Sequence, residues 1–275
     1  ICEPTRKGTR GSNHAPAMSL PTNCPQILYG TAWKGEATAT LVAQAVRAGF
    51  RGIDTAAQPK HYDERRVGEG LADAMRETGL TRQQFFLQTK YTSIRGQDLS
   101  KHLPYDAGAP LAEQVAQSIS SSLENLKTSY LDSLVLHSPL ETLQDTMMVW
   151  RAFEKAIDEN HVLQLGVSNC YDVELFKAIF EEARIKPRVL QNRFYVVSGF
   201  DVDLRKFCLD NNVMYQSFWT LSANDAAINS PDFAAVAGKY HLTPSQAMYA
   251  FVRSLGIVPL CGTRSKDHMK QDLDV

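Results

Sequence analysis

Four side chains that can handle protons lie at or just after short apolar segments of the chain. Asp54, Lys90 and His137 each lie near the end of such a segment, and Tyr62 follows Asp54. Burying an aspartate or a lysine alone costs several kcal/mol, so we expect Asp54 and Lys90 to form an ion pair. A tyrosine beside a buried ammonium is expected to have a lowered pKa and to exchange its proton near neutral pH. The imidazole of His137 can add a hydrogen bond to a carbonyl oxygen, so the set suits proton transfer onto a substrate oxygen.

Each of these residues also has an ordinary structural interpretation. A tyrosine in a loop is more often on the surface, and a histidine at a strand end more often completes a core or a rim. Asp54 can cap the next helix, with Lys90 neutralising its charge. Four such groups on three consecutive strand–helix units nevertheless favour a shared catalytic site.

Short segments rich in β-forming residues alternate with longer amphipathic segments from residue 27 onward. In the amphipathic segments apolar residues recur at i, i+3, i+4 and i+7, as they do in helices. Eight such pairs predict parallel strands joined by crossover helices, and therefore a single α/β (β/α)8 TIM barrel with a parallel eight-stranded sheet. An open doubly wound sheet is the alternative, but it usually carries a G-x-G-x-x-G turn, which this sequence lacks. The predicted strands span 27–33, 50–56, 85–91, 131–138, 162–169, 188–196, 213–220 and 257–263.

One long loop, at 92–109, follows the third predicted strand. Ordered loops of this length are usually lids or binding loops. Active sites of such barrels lie at the carboxyl ends of the strands, where this loop begins. We therefore expect the rim of the pocket to come from residues 92–109 together with Trp33 and Trp219.

The composition is that of a soluble globular protein. The chain has 275 residues, a formal net charge of −1 and 44% hydrophobic residues, which gives a sizeable core and no electrostatic support for nucleic-acid binding. The sequence contains no run of about 18 apolar residues, so no membrane span is predicted. Five cysteines without a C-x-x-C pair predict reduced thiols in a cytoplasmic protein rather than disulfides, and no metal site is expected. Residues 1–24 lack the apolar run of a secretory signal and are expected to be a disordered arm before one domain at 25–275.

Seven motifs, in order along the chain, resemble those of the aldo-keto reductases. They are GFRGIDTA (49–56), Tyr62-Asp63-Glu64, LQTK (87–90), LVLHSP (134–139), GVSN (166–169), LQNRF (190–194) and QSFWTL (216–221). The resemblance covers roughly residues 27–273 and implies a barrel that binds NADPH, or less favourably NADH, without a Rossmann fold. It implies an NADP-dependent oxidoreductase of the alcohol dehydrogenase (NADP+) type that reduces small aldehydes and ketones by hydride transfer, as a monomer. A regulatory or sensor barrel that binds the nucleotide with little turnover is the alternative.

The resemblance also implies a role for individual residues. Tyr62 becomes the general acid, Lys90 lowers its pKa, and His137 orients the substrate carbonyl. The implied cofactor-binding residues are Gly30, Thr31, Ser168, Asn169, Gln191, Phe218, Trp219, Leu221, Thr263, Arg264 and His268. The implied substrate-binding residues are Trp33, His137 and Trp219.

Two departures from the family pattern affect these assignments. Tyr62 follows Asp54 by eight residues instead of the usual five, so three extra residues are expected to loop out around Pro59. Gly262-Thr263 replaces the Lys-Ser pair that grips the 2′-phosphate of NADPH in many members, and Arg264 is expected to bind that phosphate instead.

Two further expectations concern the end of the chain. The basic residues around Arg264 have an alternative interpretation as a solvated helix start, with Asp267 as the helix cap. The sequence ends at Val275, so the last helix is expected to be truncated.

Overall fold

Eight parallel strands close into a barrel in the computed structural model, which describes residues 24–275. The strands are β1 (Leu28–Gly30), β2 (Gly52–Asp54), β3 (Phe86–Tyr91), β4 (Ser133–Leu136), β5 (Leu165–Ser168), β6 (Val189–Arg193), β7 (Met214–Phe218) and β8 (Val258–Cys261). Neighbouring strands pair in chain order, and Leu28 of β1 lies opposite Leu260 of β8 to close the barrel. The predicted TIM barrel is confirmed. The strands are shorter than predicted because the outermost residues of each predicted segment belong to the loops.

Ten helices accompany the strands within the described part of the chain. They are α1 (Thr38–Ala48), α2 (Glu64–Thr78), α3 (Leu111–Asn125), α4 (Leu143–Asp158), α5 (Val173–Glu182), α6 (Val202–Asp210), α7 (Asp225–Ile228), α8 (Pro231–Lys239), α9 (Pro244–Ser254) and α10 (Lys266–Leu273). The long helices bury apolar side chains against the outside of the barrel, as Trp150 and Phe153 of α4 do. The last helix, α10, has 8 residues.

Side-chain caps place the helices that follow the strands. Asp172 caps α5 by accepting hydrogen bonds from the main-chain N–H groups of Glu174 and Leu175. Asp63 caps α2 by accepting one from Arg66 N–H at 2.9 Å. Because Tyr62 directly precedes this cap, the position of the α2 N-terminus also fixes the main-chain position of Tyr62.

Helix α2 lies unusually close to its two neighbours. A Cβ atom added at Gly68 would overlap the main-chain oxygen of Asn125, and one added at Gly70 would overlap that of Ala39. Both glycines therefore permit main-chain contact with α3 and α1, which a larger residue would push apart.

Other findings concern the arm, the cysteines and the membrane. The predicted arm lies outside the described residues, apart from Cys24, whose side chain is buried. Cys24, Cys170, Cys208 and Cys261 are buried and free, while Cys2 lies outside the described residues. Among residues 24–275, no helix is both long and apolar enough to cross a bilayer.

Candidate active site

A cleft of about 820 Å³ opens at the carboxyl ends of the strands. It is lined by every residue predicted for the site except Thr31 and Lys90. Both exceptions lie directly beneath it: the Thr31 hydroxyl donates to the main-chain oxygen of Asp54, and Lys90 is buried behind Asp54. The Thr31 hydroxyl therefore holds β2, and the expected contact of Thr31 with a cofactor stays a prediction.

The predicted ion pair between Asp54 and Lys90 is present. Lys90 Nζ lies 2.6 Å from Asp54 Oδ2, and the two side chains are 1% and 2% exposed. Lys90 Nζ also donates to the main-chain oxygen of Thr55 at 2.8 Å. The strand register places Gln88 opposite Asp54, so the longer lysine side chain reaches back across two residues to make the pair.

Three buried glutamines form a polar layer with Asp54 inside the barrel. Gln88 and Gln191 each donate an amide hydrogen bond to Asp54 Oδ1, at 2.8 and 3.0 Å. The same two amides donate to Gln216 Oε1, and Gln216 returns a bond to Gln88 Oε1. Sequence reasoning found Gln191 but missed Gln88 and Gln216, because a glutamine within a strand carries no signal of its own. The layer completes the hydrogen bonding of the Asp54 carboxylate.

Tyr62 lies above the ion pair. Lys90 Nζ is 5.3 Å from the centroid of its ring, and the rings of Tyr62 and His137 are 6.0 Å apart with an edge-on orientation. Burial, together with the Asp54 carboxylate, raises the pKa of Tyr62 above its ordinary value. The expected lowering by Lys90 is therefore wrong for this structure, since Asp54 compensates the ammonium charge and burial disfavours a phenolate.

His137 is held as a neutral imidazole. Burial, with Lys90 and His61 nearby, lowers the pKa of His137 to about 3. Its Nδ1 lies 2.7 Å from the hydroxyl oxygen of Thr92, and its main-chain oxygen accepts from Asn169 Nδ2 at 2.9 Å. The ring therefore faces the cleft next to Tyr62 and carries no charge at neutral pH.

Polar groups of β5 and β6 line one wall of the cleft. The Ser168 hydroxyl donates to the main-chain oxygen of Gln191 at 2.7 Å, and Asn169 Nδ2 donates to the same hydroxyl at 3.2 Å. A Ser-Asn pair before a helix can also serve as the helix cap, but the cap of α5 is Asp172. The side chains of Ser168, Asn169 and Gln191 all reach the cleft surface.

The opposite end of the cleft is basic. Arg264 donates to the main-chain oxygen of Trp33, and Lys34 donates to that of Gly262, so both cations bridge the loops that follow β1 and β8. Burial lowers the pKa of Lys34 to about 8, with Arg264 contributing in the same direction. Lys34 was missed by sequence reasoning because a lysine in a loop is usually solvated. The cap of α10 is Ser265, not Asp267.

A family model described as "Aldo/keto reductase family" matches residues 26–224, more than half of the chain. The chain belongs to the aldo/keto reductase family. This aldo/keto reductase has 27% identity over 258 residues to 9,11-endoperoxide prostaglandin H2 reductase of Trypanosoma cruzi, covering 91% of this chain and 82% of the relative. It has 26% identity over 272 residues to NAD/NADP-dependent indole-3-acetaldehyde reductase of Schizosaccharomyces pombe, covering 94% and 87%.

Solved structures of aldo-keto reductases share this fold. One from a Medee basin deep-sea metagenome library superposes with a TM-score of 0.77 at 24% identity, covering 92% of this chain and 85% of that one. A Bombyx mori aldo-keto reductase in complex with NADP gives a TM-score of 0.76 at 21% identity, covering 91% and 83%.

The segment between Asp54 and Tyr62, where extra residues are expected to loop out, contains a tight turn in this aldo/keto reductase. The main-chain N–H groups of His61 and Tyr62 both donate to the oxygen of Gln58 at 3.1 Å. The His61 ring stacks on Trp33 with 3.6 Å between centroids. This turn therefore supports Trp33 at one side of the cleft mouth, and Tyr62 lies over Lys90.

The expectation for the long loop of this aldo/keto reductase is wrong. No residue of 92–109 lines the cleft, although Trp33 and Trp219 do and are 58% and 48% exposed. The loop folds back on the barrel instead, because its Tyr105 side chain is buried and donates to the main-chain oxygen of Thr92.

In residues 24–275 of this protein, no group of three or more His, Cys, Asp or Glu side chains could hold a metal ion.

Proposed function

We propose that the protein catalyses the NADPH-dependent reduction of small aldehydes and ketones to alcohols, with Tyr62 as the general acid. The observation that carries this proposal is the convergence of Tyr62 and a neutral His137 on one cleft. Beneath them lies the buried Lys90–Asp54 pair, with 2.6 Å between Nζ and Oδ2. Such a group of proton donors beside a cleft suits reactions that generate negative charge on an oxygen.

The two ends of the cleft fit the two ends of a nicotinamide dinucleotide. At one end, Lys34 and Arg264 donate to main-chain oxygens rather than to carboxylates, so no ion pair competes with phosphate groups for these two side chains. At the other end, Gln191 uses its amide N–H groups on Asp54 and Gln216. Its carbonyl oxygen is thereby left as an acceptor for a carboxamide, beside Ser168 and Asn169.

The proposed mechanism uses this chain's groups for proton transfer and orientation. When bound, the reduced nicotinamide supplies the hydride for the carbonyl carbon. Because its raised pKa keeps Tyr62 protonated at neutral pH, the phenol can donate a proton to the developing alkoxide oxygen. Lys90 then stabilises the phenolate that remains, while Asp54 keeps the ammonium in place. His137 hydrogen-bonds to the same substrate oxygen and orients it.

The test is an absorbance assay at the reduced-nicotinamide band, with NADPH and NADH compared on a panel of small aldehydes and diketones. Tyr62→Phe should lose about 10²- to 10⁴-fold in kcat and retain cofactor binding, measured by fluorescence titration. Tyr240→Phe is the matched control, since Tyr240 is 64% exposed and does not line the cleft. Wild-type rates in Tyr62→Phe would refute the assignment of the acid. Cofactor binding without turnover on any carbonyl would instead identify a sensor barrel.

We also propose that the protein works as a monomer in a reducing compartment such as the cytoplasm. Every group invoked above comes from one chain, and the four described cysteines are free thiols. If the active fraction sediments with the mass of one subunit, the result supports the proposed monomer.

A further inference from the structure

Thr92 contacts the histidine of the site from behind. It follows β3 directly, is 2% exposed, and places its hydroxyl oxygen 2.7 Å from His137 Nδ1. It does not line the cleft. Any effect of Thr92 on a molecule bound in the cleft is therefore transmitted through His137.

The main chain of Thr92 is held by the long loop that follows it. Its carbonyl oxygen accepts from the Tyr105 hydroxyl at 2.7 Å and from Gln97 Nε2 at 3.2 Å. Gly96 packs on its methyl group so closely that a Cβ there would lie 2.6 Å from Thr92 Cγ2. These contacts leave the hydroxyl little freedom, so the loop fixes its position against the imidazole.

The direction of the hydrogen bond follows from the acceptors at hand. Within residues 24–275, the one hydrogen bond formed by the Thr92 hydroxyl is that to His137 Nδ1. If the hydroxyl donates to Nδ1, its hydrogen is satisfied. If Nδ1–H donated instead, the hydroxyl hydrogen would be buried without an acceptor, which is unfavourable.

The protonation state of the ring completes the argument. In the part of the chain that the structure describes, the titratable side chains around the His137 ring are Lys90, Tyr62 and His61, and none of them is an anion that would favour an imidazolium. A neutral ring carries one N–H, so an acceptor Nδ1 requires that the hydrogen lie on Nε2. The other tautomer would present a lone pair to the substrate oxygen and repel the developing negative charge.

We propose that Thr92 is a positioning residue that holds His137 in the Nε2–H tautomer, so that the imidazole donates a hydrogen bond toward the cleft. The tautomer assignment stands on the geometry of Thr92 and its loop. Its catalytic consequence rests on the proposed function, since only a reaction at an oxygen benefits from the Nε2–H donor.

The test compares Thr92→Val, which removes the hydroxyl at nearly constant volume, with Thr92→Ser, which retains it. The first readout is 15N NMR of histidine-labelled full-length protein, with the His137 signals assigned by comparison with His137→Gln. Wild type and Thr92→Ser should show a protonated Nε2 and an unprotonated Nδ1, whereas Thr92→Val should show a mixture of tautomers. A protonated Nδ1 in wild type, or identical His137 signals in all three proteins, would overturn the proposal.

The second readout is kinetic. Thr92→Val should lose about 10- to 100-fold in kcat, because the imidazole loses both its fixed tautomer and the contact that holds its ring in place, and a catalytic group misplaced by about 1 Å costs on the order of 100-fold. Thr92→Ser should stay within about threefold of wild type. Thr78→Val is the matched control, since its hydroxyl donates to the Ala74 carbonyl on an outer helix. Unchanged kcat in Thr92→Val would overturn the catalytic role, while an inactive wild type with the expected tautomer would refute the proposed function and support the assignment.

Discussion

Replacing Lys90 with methionine tests the buried ion pair at the base of the site. The change removes two hydrogen bonds from Nζ, at 2.6 Å to Asp54 and 2.8 Å to Thr55, and leaves a carboxylate buried without a counter-charge. Breaking such a pair costs about 3–5 kcal/mol. Because Asp54 Oδ1 keeps its bonds from Gln88 and Gln191, we expect the lower end, about 3 kcal/mol. For a chain of this size, that corresponds to a fall in Tm of about 6–12 °C.

A double-mutant cycle separates the loss of the pair from the loss of packing. Asp54→Asn with Lys90→Met removes both charges at similar volume, so its free energy of unfolding should exceed that of Lys90→Met by about 2 kcal/mol. Urea unfolding of the four proteins measures this coupling, provided that the m-value stays constant. Lys206→Met is the matched control, because Lys206 is 73% exposed in its ion pair with Asp210, and should change stability by less than about 1 kcal/mol.

Two results would refute the reasoning about the pair. One is a decrease of less than about 1 kcal/mol in the free energy of unfolding of Lys90→Met. This would mean that protonation or hydration of the buried Asp54 carboxylate costs little free energy. The other is a double variant whose destabilisation equals the sum of the single ones, which would leave no coupling between Asp54 and Lys90. Neither readout requires a cofactor, so the result is independent of the proposed reaction.

Three shorter predictions follow from the cleft and its surroundings. Arg264→Gln should raise the Kd for NADPH about tenfold or more and that for NADH less than about threefold, measured by fluorescence titration; equal effects would argue against 2′-phosphate binding. Because the pKa of His137 is lowered from its ordinary value near 6.5 to about 3, the unfolded chain binds more protons between these pH values. Stability should therefore fall on acidification below pH 6.5, by up to about 1.4 kcal/mol per pH unit, and His137→Gln should flatten this slope in acid urea titrations. Gly70→Ala should destabilise the protein by about 1–3 kcal/mol through overlap with the Ala39 carbonyl, despite better helix propensity. Gly238→Ala, where no atom lies within 4 Å of the new Cβ, should be neutral or stabilising, and equal Tm values for both variants would contradict the packing argument.

The fold and the ion pair could be predicted from sequence because both follow from periodic or local features. The alternation of segments placed Asp54 and Lys90 on adjacent strands, and their opposite charges required a partner in a buried sheet. The polar layer could not be predicted in the same way, because Gln88 and Gln216 meet only when β3 and β7 are brought together across the barrel.

The errors also have physical causes. The predicted lowering of the Tyr62 pKa considered the ammonium alone, whereas the structure adds the burial of the phenol and the carboxylate that compensates Lys90. The loop at 92–109 was expected at the rim because of its length. Its buried Tyr105 shows that the loop packs on the barrel, a distinction that sequence length does not carry.

The polar layer inside the barrel limits which amino-acid substitutions this protein can tolerate. Each of its three amides has a single permitted orientation, because flipping one would bring two donors or two acceptors face to face. A substitution at Gln88, Gln191 or Gln216 therefore disturbs the other two and Asp54 together, so viable changes there must come as coordinated sets. Efforts to raise heat tolerance are better directed at the outer helices, where single replacements act independently and leave the interior lattice of hydrogen bonds intact.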